Sequence, residues 1–300
     1  MVLGPWQNAA PGLALRGRSC AVHAFSPPSH AVIRLALARC SRPHAGRRRV
    51  LVLLVAVSAC GTGQATPQRQ VPADSQWTSF SRGLPADSFP APSRRFSQIV
   101  APRWTEEFVR DAANEAETVM DALPLRPGMR VADVGAGDGY YVLRMAQRVG
   151  PTGHVYGQDI VPDYLALLSK RVEEAKLRNV TVVRGDPHDP RLPEDGVDAA
   201  ILIHMYHEIT EPYALLHNLA RSLRPGAPVG ILDTTFPTDQ HGTPPWLLEC
   251  ELGVVGYRRE KVVTTGPDEY LAVFRAPARD SLPPPSAIRA RVAGGACKQP

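Results

Sequence analysis

No apolar run in this chain reaches the ~18 residues that a membrane-spanning helix needs. Heptads are absent, which argues against a coiled coil, and no segment recurs at a fixed period. The five cysteines, Cys20, Cys40, Cys60, Cys250 and Cys297, form no CxxC pair, so neither a zinc ribbon nor a disulfide framework is expected. The first 73 residues contain no acid and no lysine. Nine of the 34 basic residues precede Asp74 and none of the 29 acids does, so residues 74–300 carry a net charge of −4 although the whole chain carries +5. A mildly acidic body gives no clustered basic face, and no nucleic-acid partner is expected.

What the chain does have is length and proline. Three hundred residues can bury a substantial core. Thirty prolines, a tenth of the chain, predict segments that do not pack as regular elements. Residues 47–60 read RRRVLVLLVAVSAC. Three arginines, an apolar stretch and small residues are the three parts of an export signal. A ten-residue buried element or an uncleaved anchor stays open as a reading of the same stretch. The ending VSAC resembles the lipobox of bacterial lipoproteins, in which the cysteine is acylated. That resemblance implies lipidation at Cys60 and a membrane-associated protein, on the periplasmic side if exported; a cytoplasmic protein is the alternative. Residues 1–46 read as part of this leader or as the product of a misassigned start. A start nearer Arg47 would need a non-AUG codon, because only Met1 precedes Met120.

The domains expected are therefore a leader over 1–60, a Pro-rich and mostly extended linker over 61–103, a folded domain over 104–276, and a disordered tail over 277–300, where Pro283, Pro284 and Pro285 oppose a helix. Within the folded part, Phe108, Ala112, Ala116, Val119, Met120 and Leu123 recur at helical spacing. Short apolar strands then alternate with helices: strands at 131–134, 154–158, 180–183, 199–203 and 229–232, helices at 140–149, 164–177 and 213–223. That alternation predicts an α/β fold with a doubly wound, mostly parallel sheet. Strands at 258–263 and 270–274, joined by Thr264-Thr265-Gly266-Pro267-Asp268, predict a closing antiparallel hairpin.

The first strand runs into VADVGAGDG at 131–139, with Asp133 followed by Gly135, Gly137 and Gly139. Glycine permits a sharp turn and close approach of backbone to a ligand. Ligands of open parallel sheets bind at the carboxyl ends of the strands. Asp159 closes the second strand and Asp186 the third, so three successive strands end in acids along one edge. Each acid alone could merely cap the next helix. Together behind a glycine turn they read as a ligand site.

These residues resemble the class I S-adenosylmethionine-dependent methyltransferases. The matching motifs are DVGAGDG at 133–139, YGQDI at 156–160, RGDPHD at 184–189, DAAILIHMYHEI at 198–209, LRPGAPVGILD at 223–233, and the hairpin sequences GYRREKV at 256–262 and EYLAVFRA at 269–276. The resemblance covers about residues 105–276 and implies a Rossmann-like methyltransferase fold with S-adenosyl-L-methionine as cofactor. It implies that Gly135, Gly137 and Gly139 shape the turn, that Asp133 serves the amino-acid end, that Asp159 holds the ribose hydroxyls with Ile160 against the adenine, and that Asp186 bonds the adenine amino group. Pro187 departs from the pattern, because it has no N–H to give the adenine ring.

Methyl transfer from a sulfonium is an in-line displacement, in which alignment supplies much of the rate. A base is required only for a poorly acidic acceptor. The candidates follow the fourth strand: His204, Tyr206 and His207 in IHMYHEI, with His207 a base or a substrate contact. HMYHE is not HExxH, and no metal is expected. Trp104, Phe108, Phe236, Trp246 and Tyr257 are candidates for an apolar acceptor pocket or for plain core. A small-molecule acceptor is expected, and the oligomeric state is open. Two other functions stay in view. One is a lipid-anchored, catalytically silent binding protein, because this cofactor is made in the cytoplasm while the leader points outward. The other is an NAD(P)-dependent oxidoreductase, whose GxGxxG fingerprint the GxGxG here does not match.

Overall fold

The predicted alternation is realised element by element. The computed structural model describes residues 76–80, 82–99 and 107–298, all of them in one compact unit, Pro67–Pro300. Two short helices, α1 (Glu107–Ala112) and α2 (Glu115–Ala122), precede β1 (Arg130–Val134). There follow α3 (Tyr140–Val149), β2 (His154–Asp159), α4 (Pro162–Glu174), β3 (Val180–Arg184), β4 (Ala199–Ile203), α5 (Pro212–Ser222), β5 (Pro228–Thr234), α6 (Pro245–Val255), β6 (Arg258–Gly266), β7 (Glu269–Arg275) and α7 (Pro285–Ala293). The sheet order is β3-β2-β1-β4-β5-β7-β6. The first five strands pair in parallel, and β7 runs antiparallel to both β5 and β6.

Alternate residues of the central strands face opposite layers, as the two-residue period requires. Ala132, Val134, Ala200, Leu202, Val229 and Ile231 pack with α5 and α6 residues such as Leu216, Leu219, Leu248 and Leu252. Val131, Ala199, Ile201 and Ile203 pack on the other side with Val119, Met120, Val142 and Met145. Leu123, Leu168, Leu202 and Leu216 are fully buried, each contributing ~1.5–3 kcal/mol by leaving water. The sheet's outer strand β6 is exposed over Arg258, Arg259, Glu260 and Lys261, charges that protect an open edge from pairing with another chain.

Three expectations change. The helix expected around 108–123 is broken at Asn114, which adopts a left-handed conformation (φ 51°) between α1 and α2. Phe108, read as a core position, is left 70% exposed. Second, the described part of the proline-rich stretch is not a free linker. Arg184 N–H donates to Thr78 C=O at 2.9 Å beside β3, Phe80 packs edge-on against Tyr156, and Gly83 N–H donates to an Asp189 carboxylate oxygen. Asn218 exchanges two hydrogen bonds with the backbone of Leu84, and Phe89 is buried against His217. The Arg94 guanidinium is buried against Glu251 of α6 at 2.9 Å. Prolines remove backbone donors, so this belt is held largely by side chains.

Third, the tail expected to be disordered folds. Pro285 occupies the first turn of α7, the one helical position where a missing N–H costs nothing. Pro162, Pro212 and Pro245 open α4, α5 and α6 in the same way. Ile288 of α7 is fully buried, and a Cys250–Cys297 disulfide fastens the tail to α6. The absence of CxxC therefore misled, since the two cysteines are 47 residues apart. The leader, including Cys60, lies outside the described residues, as does Trp104. No helix among the described residues is long and apolar enough to cross a membrane.

Cross-linking a loop of this length constrains the unfolded chain. Cys297→Ser should lower the unfolding free energy by ~2–4 kcal/mol in urea titrations under non-reducing conditions. An unchanged midpoint would show that α7 packing alone holds the tail.

Candidate active site

One cavity of about 500 Å³ opens at the carboxyl ends of β1, β2 and β4. The turn after β1 builds its floor. Gly135 (φ 77°) and Gly137 (φ 55°) sit in the left-handed region. A Cβ on Gly135 would meet Met205 side-chain carbons at 2.8 and 2.9 Å, so the turn needs glycine there for space as well as for conformation. Gln158 ties the turn to β2, because its carbonyl accepts from both Gly135 and Ala136.

Asp133, Asp159, Ile160, Asp186, Gly135 and Gly137 all line this cavity. Gly139 does not appear in the lining. It starts α3 with φ 96°, and a Cβ on it would meet Leu168 Cδ1 at 2.4 Å, so its role is close packing of α3 on α4. Asp159 is almost fully buried, and backbone occupies its carboxylate: Oδ2 accepts from Gly137 N–H at 2.8 Å, and Oδ1 accepts from Ile160 at 2.7 Å and Val161 at 2.9 Å. Burial raises its proton affinity and these three donors oppose the rise; burial prevails. Asp186 forms an ion pair with Arg191. Pro187 lines the cavity without an N–H.

Asp133 is buried, and desolvation pushes its carboxyl up to about 7. Arg110 pulls it down and Asp159 pushes it further up. Arg110 comes from α1, lies over the Tyr140 ring with its carbon 3.8 Å from the centroid, and pairs with Glu115 at 2.6 Å. Burial would raise the Glu115 carboxyl, but His204 and Arg110 outweigh it and hold it at about 2.

The three residues expected after β4 part company. His204 lines the cavity in a left-handed conformation (φ 52°), and its Nε2 lies 3.8 Å from Glu115 and 3.7 Å from Glu269. Tyr206 is excluded from the site. It is fully buried, its hydroxyl donates to Glu251 at 2.9 Å, and burial followed by the Glu251 charge pushes its phenol far up. The turn after Met205 rotates it inward onto α6. His207 lines the cavity with its Nδ1 held by Asp233 at 3.0 Å. Asp233 is fully buried, and also accepts from Thr243 Oγ1 and Thr234 N–H, both at 2.8 Å.

The sequence did not single out Asp233, though it ends β5 in the LRPGAPVGILD motif as the other acids end their strands. Nor did it indicate His241, Ser97 or Ile99, which line the cavity from irregular segments without any period. Ser97 N–H donates to the His207 carbonyl at 3.1 Å and its hydroxyl to the Thr238 carbonyl at 2.8 Å, so the proline-rich belt closes one wall. None of Phe108, Phe236, Trp246 and Tyr257 lines this cavity. Tyr257 is plain core, its hydroxyl donating to Leu216 C=O, while Phe236 and Trp246 are exposed.

The family model described as a methyltransferase domain matches residues 131–226. A protein-L-isoaspartate O-methyltransferase from Methanothrix thermoacetophila is 37% identical over 117 residues, which cover 37% of this chain and 51% of that protein. A demethylmenaquinone methyltransferase from Listeria welshimeri is 28% identical over 118 residues, 39% of this chain and 50% of that protein. The chain thus spans about half the length of the curated relatives it matches. Among solved structures, a SAM-dependent methyltransferase from Aquifex aeolicus superposes with a TM-score of 0.51 at 25% identity, over 57% of this chain and 99% of that one.

The buried Asp133 has a consequence for stability. Its folded value, about 7, lies above that of an unfolded aspartate, ~3.9. Between those values the folded chain keeps a proton that the unfolded chain has lost. The resulting stabilisation is complete at the acid end and is lost as pH rises through about 7, by roughly 1.4 kcal/mol per pH unit. Urea unfolding at about pH 5 and about pH 8 should show a larger fall for the parent than for Asp133→Asn, which cannot ionise. Equal falls would contradict this reading of Asp133.

Proposed function

We propose that this chain carries a class I S-adenosylmethionine-dependent methyltransferase domain and moves the methyl group of that cofactor to a small apolar acceptor bound in the cavity of about 500 Å³. The observation that carries the reading is the joint placement of Asp133, Gly135, Gly137, Asp159, Ile160 and Asp186 around one cavity at the carboxyl edge of the sheet. Gly135 and Gly137 both line the cavity without side chains and hold left-handed backbone, so the turn leaves room for a ligand and the residues present fit the cofactor. Asp133 lies in the wall beside the turn, where an ammonium group would favour its ionised form. Asp159 holds the turn by its Gly137 bond and offers the lone pair that its three backbone donors leave, on Oδ2, to the ribose hydroxyls. Asp186 and Ile160 serve the adenine, with one backbone donor missing at Pro187.

When bound, the cofactor supplies a methyl on a sulfonium, whose C–S bond breaks with its electron pair left on sulfur as the acceptor bonds the carbon. The chain's work is alignment and exclusion of water, which can supply up to ~7–11 kcal/mol in well-oriented cases. His204 and His207 border the acceptor. Asp233 fixes the His207 ring through Nδ1, which keeps the lone pair on Nε2.

Phe96, Ile99, Met205, Ile209 and Leu215 make much of the wall apolar, which supports a small ring-bearing acceptor rather than a peptide. One relative is named for an isoaspartate protein substrate and another for demethylmenaquinone; the apolar wall favours the second class. The export reading of the leader also stands as part of this proposal. The VSAC ending supports lipidation at Cys60, and the Cys250–Cys297 disulfide supports an oxidising compartment.

Two measurements check these readings. Asp159→Asn keeps the side-chain size but loses an anionic acceptor, and calorimetry should show affinity for S-adenosylmethionine reduced at least tenfold, since each charge-assisted bond carries ~1.5–3 kcal/mol. Undiminished affinity would remove Asp159 from the site. In a Gram-negative host, labelled palmitate should enter the full chain and Cys60→Ser should abolish the labelling. An unlabelled parent would end the lipoprotein reading.

A further inference from the structure

The methyl-transfer reading gives three groups in the cavity wall no part in holding the cofactor. One nitrogen each from His207 and His241 and a carboxylate oxygen of Glu208 lie within 4.8 Å of one another. All three residues line the cavity. We propose that they bind a divalent cation of the zinc class, with an open coordination position facing the cavity. No spacing motif links these residues, since His241 lies 34 positions from His207 on an irregular segment, and His204, the nearer candidate, turns toward Glu115 and Glu269 instead.

The donor set selects the ion. Two imidazoles and one carboxylate suit zinc and its first-row neighbours, and are too rich in nitrogen for calcium or magnesium. Three protein ligands leave a fourth position free, as in catalytic rather than structural zinc sites. Bonds of ~2.0–2.2 Å in a tetrahedron bring ligand atoms to roughly 3.3 Å apart. The present spread of at most 4.8 Å is therefore about 1.5 Å wider than a bound ion requires.

The supporting groups are built to match. A carboxylate accepts only, so His207 Nδ1–H donates to Asp233, which fixes the tautomer with the Nε2 lone pair free for a cation. Asp233 is itself held by Thr243 and Thr234. A carboxylate behind a metal-binding imidazole orients the ring and raises its basicity. The backbone on either side is pinned. The Arg94 guanidinium donates to the carbonyls of Tyr206 and Ile209, which flank His207 and Glu208. His241 sits in a left-handed conformation (φ 56°), its N–H donating to Ser97 Oγ at 3.0 Å and its carbonyl accepting from Thr234 Oγ1 at 2.9 Å. The two imidazoles stand perpendicular, with ring centroids 5.4 Å apart.

The inference rests on the methyl-transfer reading only for what the open position would face: an acceptor with a ligating oxygen, whose hydroxyl proton a cation makes easier to lose to solvent. The binding claim stands by itself and is tested without turnover. The full chain, stripped with a chelator, is titrated with Zn²⁺ by calorimetry, and separately with S-adenosylmethionine. One tight zinc equivalent is expected per chain. His241→Ala and Glu208→Gln should each weaken it at least tenfold, and Asp233→Asn by ~10–100-fold, with cofactor affinity kept by the first two. If His241→Ala does not fold, Glu208→Gln decides. Zinc affinity unchanged in the folded variants, or no tight zinc in the parent, overturns the proposal. Cofactor binding without zinc leaves His207 as a proton acceptor and sinks this inference alone. Zinc binding without cofactor binding supports the site and sinks only the methyl-transfer reading.

Discussion

The constraint on which this structure depends is topological. From β1 the chain lays β2 and β3 on one side, then crosses to lay β4 and β5 on the other. Right-handed crossovers in opposite directions leave a crevice at the carboxyl ends of β1 and β4, because no connection passes over it. Every strand bordering that crevice ends in a group with chemistry: Asp133 on β1, Asp159 on β2, His204 after β4, Asp233 on β5. The cavity follows from the strand order, and its chemistry follows from where the strands stop.

Burial then separates these acids into roles. Asp159 spends three of its lone pairs on backbone donors and thereby shapes the glycine turn. Asp133 is pushed up to about 7 by desolvation, against the opposing pull of Arg110. Asp233 is satisfied by two donors and a histidine ring. One residue type at equivalent strand ends thus supplies a loop anchor, a protonatable wall and an imidazole clamp, and the difference lies in what packs around each.

The parallel core and the hairpin were legible because burial on both faces imposes continuous apolar strands, and glycine and proline mark their ends. The glycine turn at the cavity edge was legible because a turn needing Gly135 and Gly137 leaves an imprint in sequence. The remaining wall was not. Arg94, Ser97 and His241 act from segments with no periodicity, and their positions depend on long-range side-chain bonds that no local pattern encodes. Tyr206 was misjudged because a strand end says which residues are near a cavity but not which way a following turn points them. The tail was misjudged because Pro285 was read as a helix breaker, when in the first turn it starts one.

The central claim is that S-adenosylmethionine occupies this cavity with its ribose on Asp159. A crystal structure of the full chain with S-adenosylhomocysteine tests it most directly. The account predicts one bound molecule between the Gly135–Gly137 turn and Ile160, with both ribose hydroxyls within hydrogen-bond distance of the Asp159 carboxylate. A molecule bound elsewhere, or a cavity left empty at saturating ligand, would contradict it.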